Sequence, residues 1–141
     1  MTQAHFVGTG SSMPERVLSN KDMERIVDTT DEWITRRSGI RERRISSTRR
    51  DESTANMATK ASLEALEMAG IPAERLDMMV VGTVTPDRQF PSAACMVQKE
   101  LGAVNAFAFD VSAGCAGFLY ALATVNNAIK CGTCQTALVV G

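Results

Sequence analysis

One cysteine stands where a catalytic nucleophile would be expected. Cys115 lies among small residues in the segment 113–117, directly after an apolar run that ends at Val111. If the run is a strand and a helix follows, the thiol lies at the helix N-terminus, where unpaired N–H groups stabilise negative charge on sulfur. The small neighbours leave room for a substrate. The pattern is typical of a nucleophile on a strand–turn–helix, although a free cysteine can equally be a small core residue.

Other motifs give weaker indications of chemistry. Cys131 and Cys134 have CxxC spacing, but they follow a predicted helix and no second pair accompanies them, which disfavours a metal or redox role. The segment 8–10, Gly-Thr-Gly, lacks the third glycine of a dinucleotide-binding loop. His5 lies in a predicted strand and is expected to be structural. These three motifs therefore give no positive indication of a metal, redox or dinucleotide-binding site.

Basic residues are concentrated between positions 36 and 50. Seven of the 15 basic residues are arginines of this segment, while the whole chain has a net charge of −1 and a pI of about 5.8. Only one aromatic residue, Trp33, lies nearby, which disfavours nucleic acid as a partner. A nucleotide phosphate or an acidic carrier protein fits better, and some arginines could instead pair with neighbouring acidic residues. The seven are Arg36, Arg37, Arg41, Arg43, Arg44, Arg49 and Arg50.

Alternating strands and helices must position these groups. Short apolar runs predict strands at 3–10, 78–84, 107–111 and 137–140. Capping and periodicity predict helices at 21–27 (with Asn20 as N-cap), 54–69, 93–101 and 115–129. Residues 31–51 are predicted to be irregular. This alternation indicates an α/β fold with a mainly parallel sheet covered by helices on both faces, in which ligands bind at the carboxyl ends of the strands.

The helix after Cys115 is predicted to be buried on all sides. Its sequence is apolar almost all round, and Asp110 is the only charged residue between Leu101 and Ile129. A membrane span is the alternative interpretation. It is disfavoured because four polar residues interrupt the stretch, namely Ser112, Thr124, Asn126 and Asn127.

The composition fits one folded domain over residues 1–141. The chain is 45% hydrophobic and 22% charged, which excludes intrinsic disorder, and this length can bury a sizeable core without disulfides. Four cysteines are too few for a disulfide framework, and the first residues do not resemble a signal peptide, so we expect a reducing cytoplasm. Because the chain stops at an apolar run, we also expect it to be truncated.

Six segments resemble one enzyme family. The segment Asp110-Val-Ser-Ala-Gly-Cys-Ala-Gly-Phe118 resembles the active-site cysteine segment of β-ketoacyl-acyl carrier protein synthase III, a thiolase-like condensing enzyme. Five further segments resemble the N-terminal half of the same family in the same order: Gly8–Pro14, Asp28–Ile34, Arg37–Arg43, Phe90–Cys95 and Ala137–Gly141. The resemblance implies that residues 1–141 form a thiolase-like N-terminal half and that the C-terminal half is absent.

The resemblance also implies roles for five residues. Cys115 would be acylated, and its own backbone N–H would form part of an oxyanion hole. Trp33 would stack on the adenine of coenzyme A, with Thr29 and Arg37 lining the same end of the entrance tunnel. Phe90 would reach across a homodimer interface and help to set acyl-chain length. From the residues alone, Trp33 and Phe90 could equally be loop anchors, and the arginines a solvated face.

The reaction implied by the resemblance has two stages. Cys115 takes the acyl group from a short acyl-CoA such as acetyl-CoA. Malonyl-acyl carrier protein then loses carbon dioxide, and the resulting carbanion attacks the acyl-cysteine, which initiates fatty acid synthesis. Coenzyme A enters as the thioester substrate, and the resemblance implies no metal or cofactor. In the family a His and an Asn from the C-terminal half complete the site, and the only His here is His5, so this chain alone is expected not to catalyse condensation.

Two alternatives stay open at this point. The chain could be half of another thiolase-like enzyme, such as a ketide or quinolone synthase. It could also be a non-catalytic module whose arginines hold an acidic acyl carrier protein. The sequence does not fix the acyl-chain preference, because residues outside this chain complete the pocket.

Overall fold

The protein is described by a computed structural model that covers residues 3–47 and 52–141. The chain forms two compact units. One is Met13–Glu52, and the other joins the N-terminal segment up to Ser12 to Ser53–Gly141. Arg49 and Arg50 of the basic segment lie outside the described residues.

The unit Met13–Glu52 combines a strand pair with two helices. Strand β1 (Val17–Ser19) pairs antiparallel with β2 (Glu42–Arg44), and helices α1 (Asn20–Met23) and α2 (Asp31–Ser38) lie between them in the chain. The predicted cap of α1 is wrong by one residue. Ser19 is the N-cap, and it forms a capping box in which its hydroxyl accepts the Asp22 N–H (3.2 Å).

The prediction that residues 31–51 are irregular is wrong, because this segment contains α2 and β2. Local signals define α2. The Thr30 hydroxyl accepts the Trp33 N–H (3.1 Å), and Gly39, with a left-handed φ of 73°, ends the helix. No residue of α2 is buried, so the helix has no apolar stripe by which its sequence could reveal it.

The second unit is built on three helices whose ends were mostly predictable. Helix α3 (Thr54–Ala69) begins after Ser53, and α4 (Ala93–Leu101) begins after Ser92; each serine hydroxyl accepts an N–H of the first turn. Both helices end at a glycine with left-handed φ, as predicted. A short 3₁₀ turn then precedes α5 (Gly117–Lys130), and a further 3₁₀ turn spans Ala73–Arg75.

Three parallel strands lie between these helices. Strands β3 (Met78–Gly82), β4 (Phe107–Val111) and β5 (Ala137–Val140) form a sheet with the order β4-β3-β5. Side chains of one face, such as Met79 and Leu138, pack with α3 and α4, whereas Met78 and Val80 pack against α5. The predicted α/β class, with a parallel sheet covered on both faces, is confirmed.

The predicted strand at residues 3–10 is wrong, since no strand is assigned there. The segment instead lies along α3. A side chain at Gly8 or Gly10 would collide with the carbonyl oxygen of Ala65 or Ala61, so each glycine lets the two backbones touch. The backbone groups bond to side chains of α3, as in the Ser11 N–H donating to Glu64 (2.7 Å).

Helix α5 is buried on one side only, which differs from its predicted burial all round. Ala121 and Val125 face the sheet, but Phe118, Leu119 and Tyr120 are 42%, 65% and 58% exposed. No helix within the described ranges, α5 included, is long and apolar enough to cross a membrane.

Candidate active site

Cys115 lies on an exposed turn at the carboxyl end of the sheet. The turn Gly114–Ala116 connects β4 to α5, and the thiol is free and exposed to solvent. Gly114 has a φ of 52°, which favours glycine at this position. The predicted strand–turn–helix is therefore confirmed, and the alternative that Cys115 is a core residue is wrong.

Backbone contacts with Gly82 fix both ends of this turn. At one end Gly82 is the register partner of Val111, the last residue of β4. At the other end a Cβ on Gly82 would lie 2.7 Å from the carbonyl carbon of Gly117 and 2.8 Å from the Phe118 nitrogen. The end of β3 thus touches the first turn of α5 directly, and only residues 112–116 lie between the two anchored points.

The four cysteines differ in accessibility. Cys131, at the C-cap of α5, is exposed like Cys115, whereas Cys134 is only 4% exposed. Burial, assisted by the Asp77 carboxylate, raises the pKa of the Cys134 thiol. Cys95 is half-buried, and its thiol donates to the Ala108 carbonyl (3.6 Å). The two exposed thiols lie at opposite ends of one helix.

Trp33 and Arg37 form a stacked pair on the surface of α2. The Arg37 guanidinium carbon lies 5.0 Å from the centre of the indole, and the indole is 56% exposed. Thr29 is half-buried and directly precedes the Thr30 cap of the same helix. The structure therefore brings Thr29, Trp33 and Arg37 to one helix, with a flat aromatic surface and a cation side by side.

Two arginines of the basic segment are engaged by their own unit. Arg43 donates to the Leu18 carbonyl (3.3 Å) and to the Asn20 side chain (2.7 Å), and Arg44 donates to the carbonyls of Pro14 and Glu15 (both 3.2 Å). Their partners are carbonyl oxygens rather than the acidic side chains considered from the sequence.

Phe90 lies on the loop between β3 and α4 and is 89% exposed. Two carboxylates hold this loop. Asp87, within the loop, accepts the N–H groups of Thr54 (2.9 Å) and Ala55 (2.8 Å) at the start of α3. Asp110, on β4, accepts two N–H groups at the start of α4, three residues after Phe90. Sequence reasoning missed both roles, although a lone charge in an apolar stretch was a signal for Asp110.

An apolar groove of about 1370 Å³ lies beside the turn that carries Cys115. It is bounded by residues 3–12, α3, α5 and β5, and its lining includes Gly82 and Phe118 but not Cys115. Within the described residues no group of three or more His, Cys, Asp or Glu side chains could hold a metal ion.

The sequence comparisons find similarity to β-ketoacyl-acyl carrier protein synthase III proteins. A profile of the 3-oxoacyl-[acyl-carrier-protein] synthase III family matches residues 109–141, which include Cys115. A β-ketoacyl-[acyl-carrier-protein] synthase III from Caldanaerobacter subterraneus is 52% identical over 138 residues, which cover 98% of this chain and 41% of that protein. Over its length, this chain is similar to part of the β-ketoacyl-acyl carrier protein synthase III proteins. It spans about two fifths of the length of the curated relatives it matches.

Solved structures of two synthases share the fold of this chain. The synthase III from Aquifex aeolicus has a TM-score of 0.89 at 48% identity, over 94% of this chain and 42% of that one. The priming β-ketosynthase of the R1128 polyketide pathway has a TM-score of 0.90 at 41% identity, over 96% of this chain and 40% of that one. The thiolase-like fold inferred from the sequence is confirmed.

Proposed function

We propose that this chain carries the acyl-accepting cysteine and a coenzyme A-binding surface of a condensing acyltransferase that starts fatty acid synthesis. The exposed Cys115 thiol, on a glycine-anchored turn at the N-terminus of α5, carries the proposal. Its sulfur would attack the carbonyl carbon of a short acyl-CoA, the bond from that carbon to the coenzyme A sulfur would break, and coenzyme A would leave with the thiol proton. Backbone N–H groups of the turn suit the negative oxygen that forms during the attack.

The pair formed by Trp33 and Arg37 supports coenzyme A as the acyl donor. An exposed indole offers a face on which adenine can stack, and a guanidinium matches phosphate oxygens. In this proposal Thr29 lines the same surface. In this proposal the second substrate is malonyl-acyl carrier protein, and the relatives' names include the acyl carrier protein. The enzyme acts as a homodimer in which Phe90 contacts the partner's acyl pocket. A reducing cytoplasm suits a free nucleophilic thiol.

Transfer of an acetyl group to Cys115 tests the proposal. After incubation with acetyl-CoA, intact-mass spectrometry should show one acetyl group on the wild-type chain and none on Cys115→Ala. Cys131→Ala is the matched control, since it removes the other exposed thiol from the opposite end of α5 and should leave the labelling unchanged. Equal labelling of the wild type and Cys115→Ala would refute an acyl-accepting role for Cys115.

Condensation is a separate step, and we predict that this chain does not perform it. The carbanion formed from malonyl-carrier needs hydrogen-bond donors opposite Cys115, and the one imidazole of the chain, His5, lies in the segment along α3. Incubation with acetyl-CoA and malonyl-acyl carrier protein should yield acetyl-Cys115 but no 3-ketoacyl product. Turnover by the 141-residue chain would contradict this prediction.

A polyketide-priming synthase is the second candidate. The observation that favours it is the similarity to the R1128 priming ketosynthase, whose TM-score matches that of the fatty acid enzyme from Aquifex aeolicus to within 0.01. The two candidates share the cysteine step and differ in the acyl group delivered. Competition between acetyl-CoA and longer or branched acyl-CoAs for Cys115 would distinguish them.

A further inference from the structure

Asn20 is a buried polar residue in a unit whose described residues form no apolar core. Its side chain is 1% exposed, and it is the only buried residue among the described residues of Met13–Glu52. A buried amide costs free energy unless all its hydrogen-bonding groups are satisfied. Its presence therefore indicates that hydrogen bonds rather than apolar packing define this unit.

The Asn20 side chain connects three parts of the unit. Its Nδ2 donates to Asp31 Oδ1 (2.7 Å), Thr35 Oγ1 (3.3 Å) and the Ile40 carbonyl (2.8 Å). Its Oδ1 accepts from an Arg43 guanidinium nitrogen (2.7 Å). The bond from Asn20 is also the main cause that lowers the pKa of the Asp31 carboxyl. One amide thus joins α1, where it resides, to α2 and β2.

These bonds reach the side of α2 that faces away from the stacked pair. Asp31 and Thr35 are four residues apart and share one face, as their mutual hydrogen bond shows (3.2 Å). Trp33 lies two positions after Asp31, and Arg37 lies two positions after Thr35. Two positions correspond to a rotation of about 200° around a helix. Asn20 therefore holds the inner face of α2 while the opposite face presents the indole and the guanidinium to solvent.

We propose that Asn20 is a positioning residue for coenzyme A binding. It touches no substrate, and it acts by fixing the orientation of α2, so that the stacked pair is held ready for the nucleotide. This inference rests on the proposed function, in which that surface binds coenzyme A. Part of the affinity for the acyl donor is therefore attributed to the buried Asn20 side chain.

The test compares Asn20→Ala with Asn105→Ala in the 141-residue chain. Asn105 is exposed and donates one hydrogen bond, to the Glu74 carbonyl (2.8 Å), so it controls for loss of an amide elsewhere. Because Trp33 is the only tryptophan, quenching of its fluorescence reports coenzyme A binding directly. We expect Asn20→Ala to weaken binding by about ten-fold or more, because several buried hydrogen bonds are lost together. Asn105→Ala should bind coenzyme A as the wild type does.

A second readout separates positioning from general damage. Alkylation of Cys115 by iodoacetamide needs no nucleotide site, so its rate should be the same in Asn20→Ala as in the wild type. Acylation of Cys115 in Asn20→Ala should need a higher concentration of acetyl-CoA. Should Asn20→Ala fail to fold, Thr35→Val removes one partner of the amide at nearly constant volume, and Thr35→Ser restores the hydroxyl. We expect Thr35→Val to weaken binding by about two- to five-fold and Thr35→Ser to recover it.

The outcomes distinguish this inference from the proposed function. Wild-type coenzyme A affinity in a folded Asn20→Ala variant, or in Thr35→Val if Asn20→Ala does not fold, would overturn the positioning role of Asn20. A wild-type chain that does not bind coenzyme A would instead overturn the proposed function, together with the inference that rests on it.

Discussion

Replacing Gly82 with alanine is expected to displace Cys115 and to slow its acylation by about ten-fold or more, because misplaced reacting atoms lose rate steeply. The new Cβ would lie 2.7 Å from the Gly117 carbonyl carbon and 2.8 Å from the Phe118 nitrogen. Both are backbone atoms, so no side chain can rotate away. Overpacking of this kind costs about 1–3 kcal/mol, which exceeds the roughly 0.4–1 kcal/mol that alanine contributes by restricting the unfolded chain.

Gly117→Ala is the matched control on the other side of the same contact. Its Cβ would lie 3.3 Å from the Gly82 Cα, a distance that a small shift can relieve. Gly117 also has helical dihedral angles (φ −53°, ψ −47°), where alanine gains about 1 kcal/mol of helix propensity. Urea unfolding and the acetylation rate should therefore stay close to wild type. Equal effects of the two substitutions would show that contact with the backbone of α5 does not position Cys115.

Local signals explain why part of the fold could be predicted. Helices α3 and α4 each lie between a serine cap and a left-handed glycine, so their bounds follow from neighbouring residues alone. Strands β4 and β5 are short apolar runs whose side chains contact helices on both faces of the sheet, and apolar content identifies such strands. For the same reason the turn with Cys115 could be placed between a strand and a helix.

Contacts between distant residues explain the rest. Helix α2 has no buried face, and the bonds from Asn20 that hold it come from a residue 11 to 15 positions earlier in the chain. No periodic pattern records such bonds, so the segment was predicted to be irregular. The segment 3–10 has the composition of a strand, but a strand forms only with a hydrogen-bonded neighbour, and here the segment lies against α3.

The same distinction applies to the candidate site. Residue type and position were enough to single out Cys115 as a candidate nucleophile, whereas the roles predicted for Trp33 and Arg37 came from the resemblance to a known family. The residues that hold them, such as Gly82 and Asn20, have no chemistry of their own to attract notice. Their roles depend on which atoms of distant residues lie beside them, and only the three-dimensional structure gives that information.

Loss of Asp110 is expected to lower the stability of the unit that carries Cys115 by about 2–4 kcal/mol. Its two carboxylate oxygens accept the N–H groups of Ala93 (2.9 Å) and Ala94 (2.7 Å) at the positive end of α4. Hydrogen bonds to a charged group contribute about 1.5–3 kcal/mol each. Because this helix end is only partly buried, water can bond to the two donors that Asp110→Ala leaves, so the expected loss lies below the sum of the two bonds. Unfolding in urea, followed by circular dichroism, measures the loss.

Two milder substitutions should lower the stability by less than Asp110→Ala, and this ranking can be measured. Asp110→Asn keeps one acceptor oxygen and loses the charge, so it should cost about half as much. Ser92→Ala removes only the cap on the Cys95 N–H (3.2 Å) and should cost about 1 kcal/mol. Asp110 lies on β4, five residues before Cys115, and its carboxylate bonds to the start of α4, which lies three residues after Phe90. The carboxylate therefore connects the strand that precedes Cys115 to the loop that carries Phe90. If Asp110→Ala were no less stable than Ser92→Ala, the start of α4 would be held by its own serine cap, and Asp110 would not connect the two.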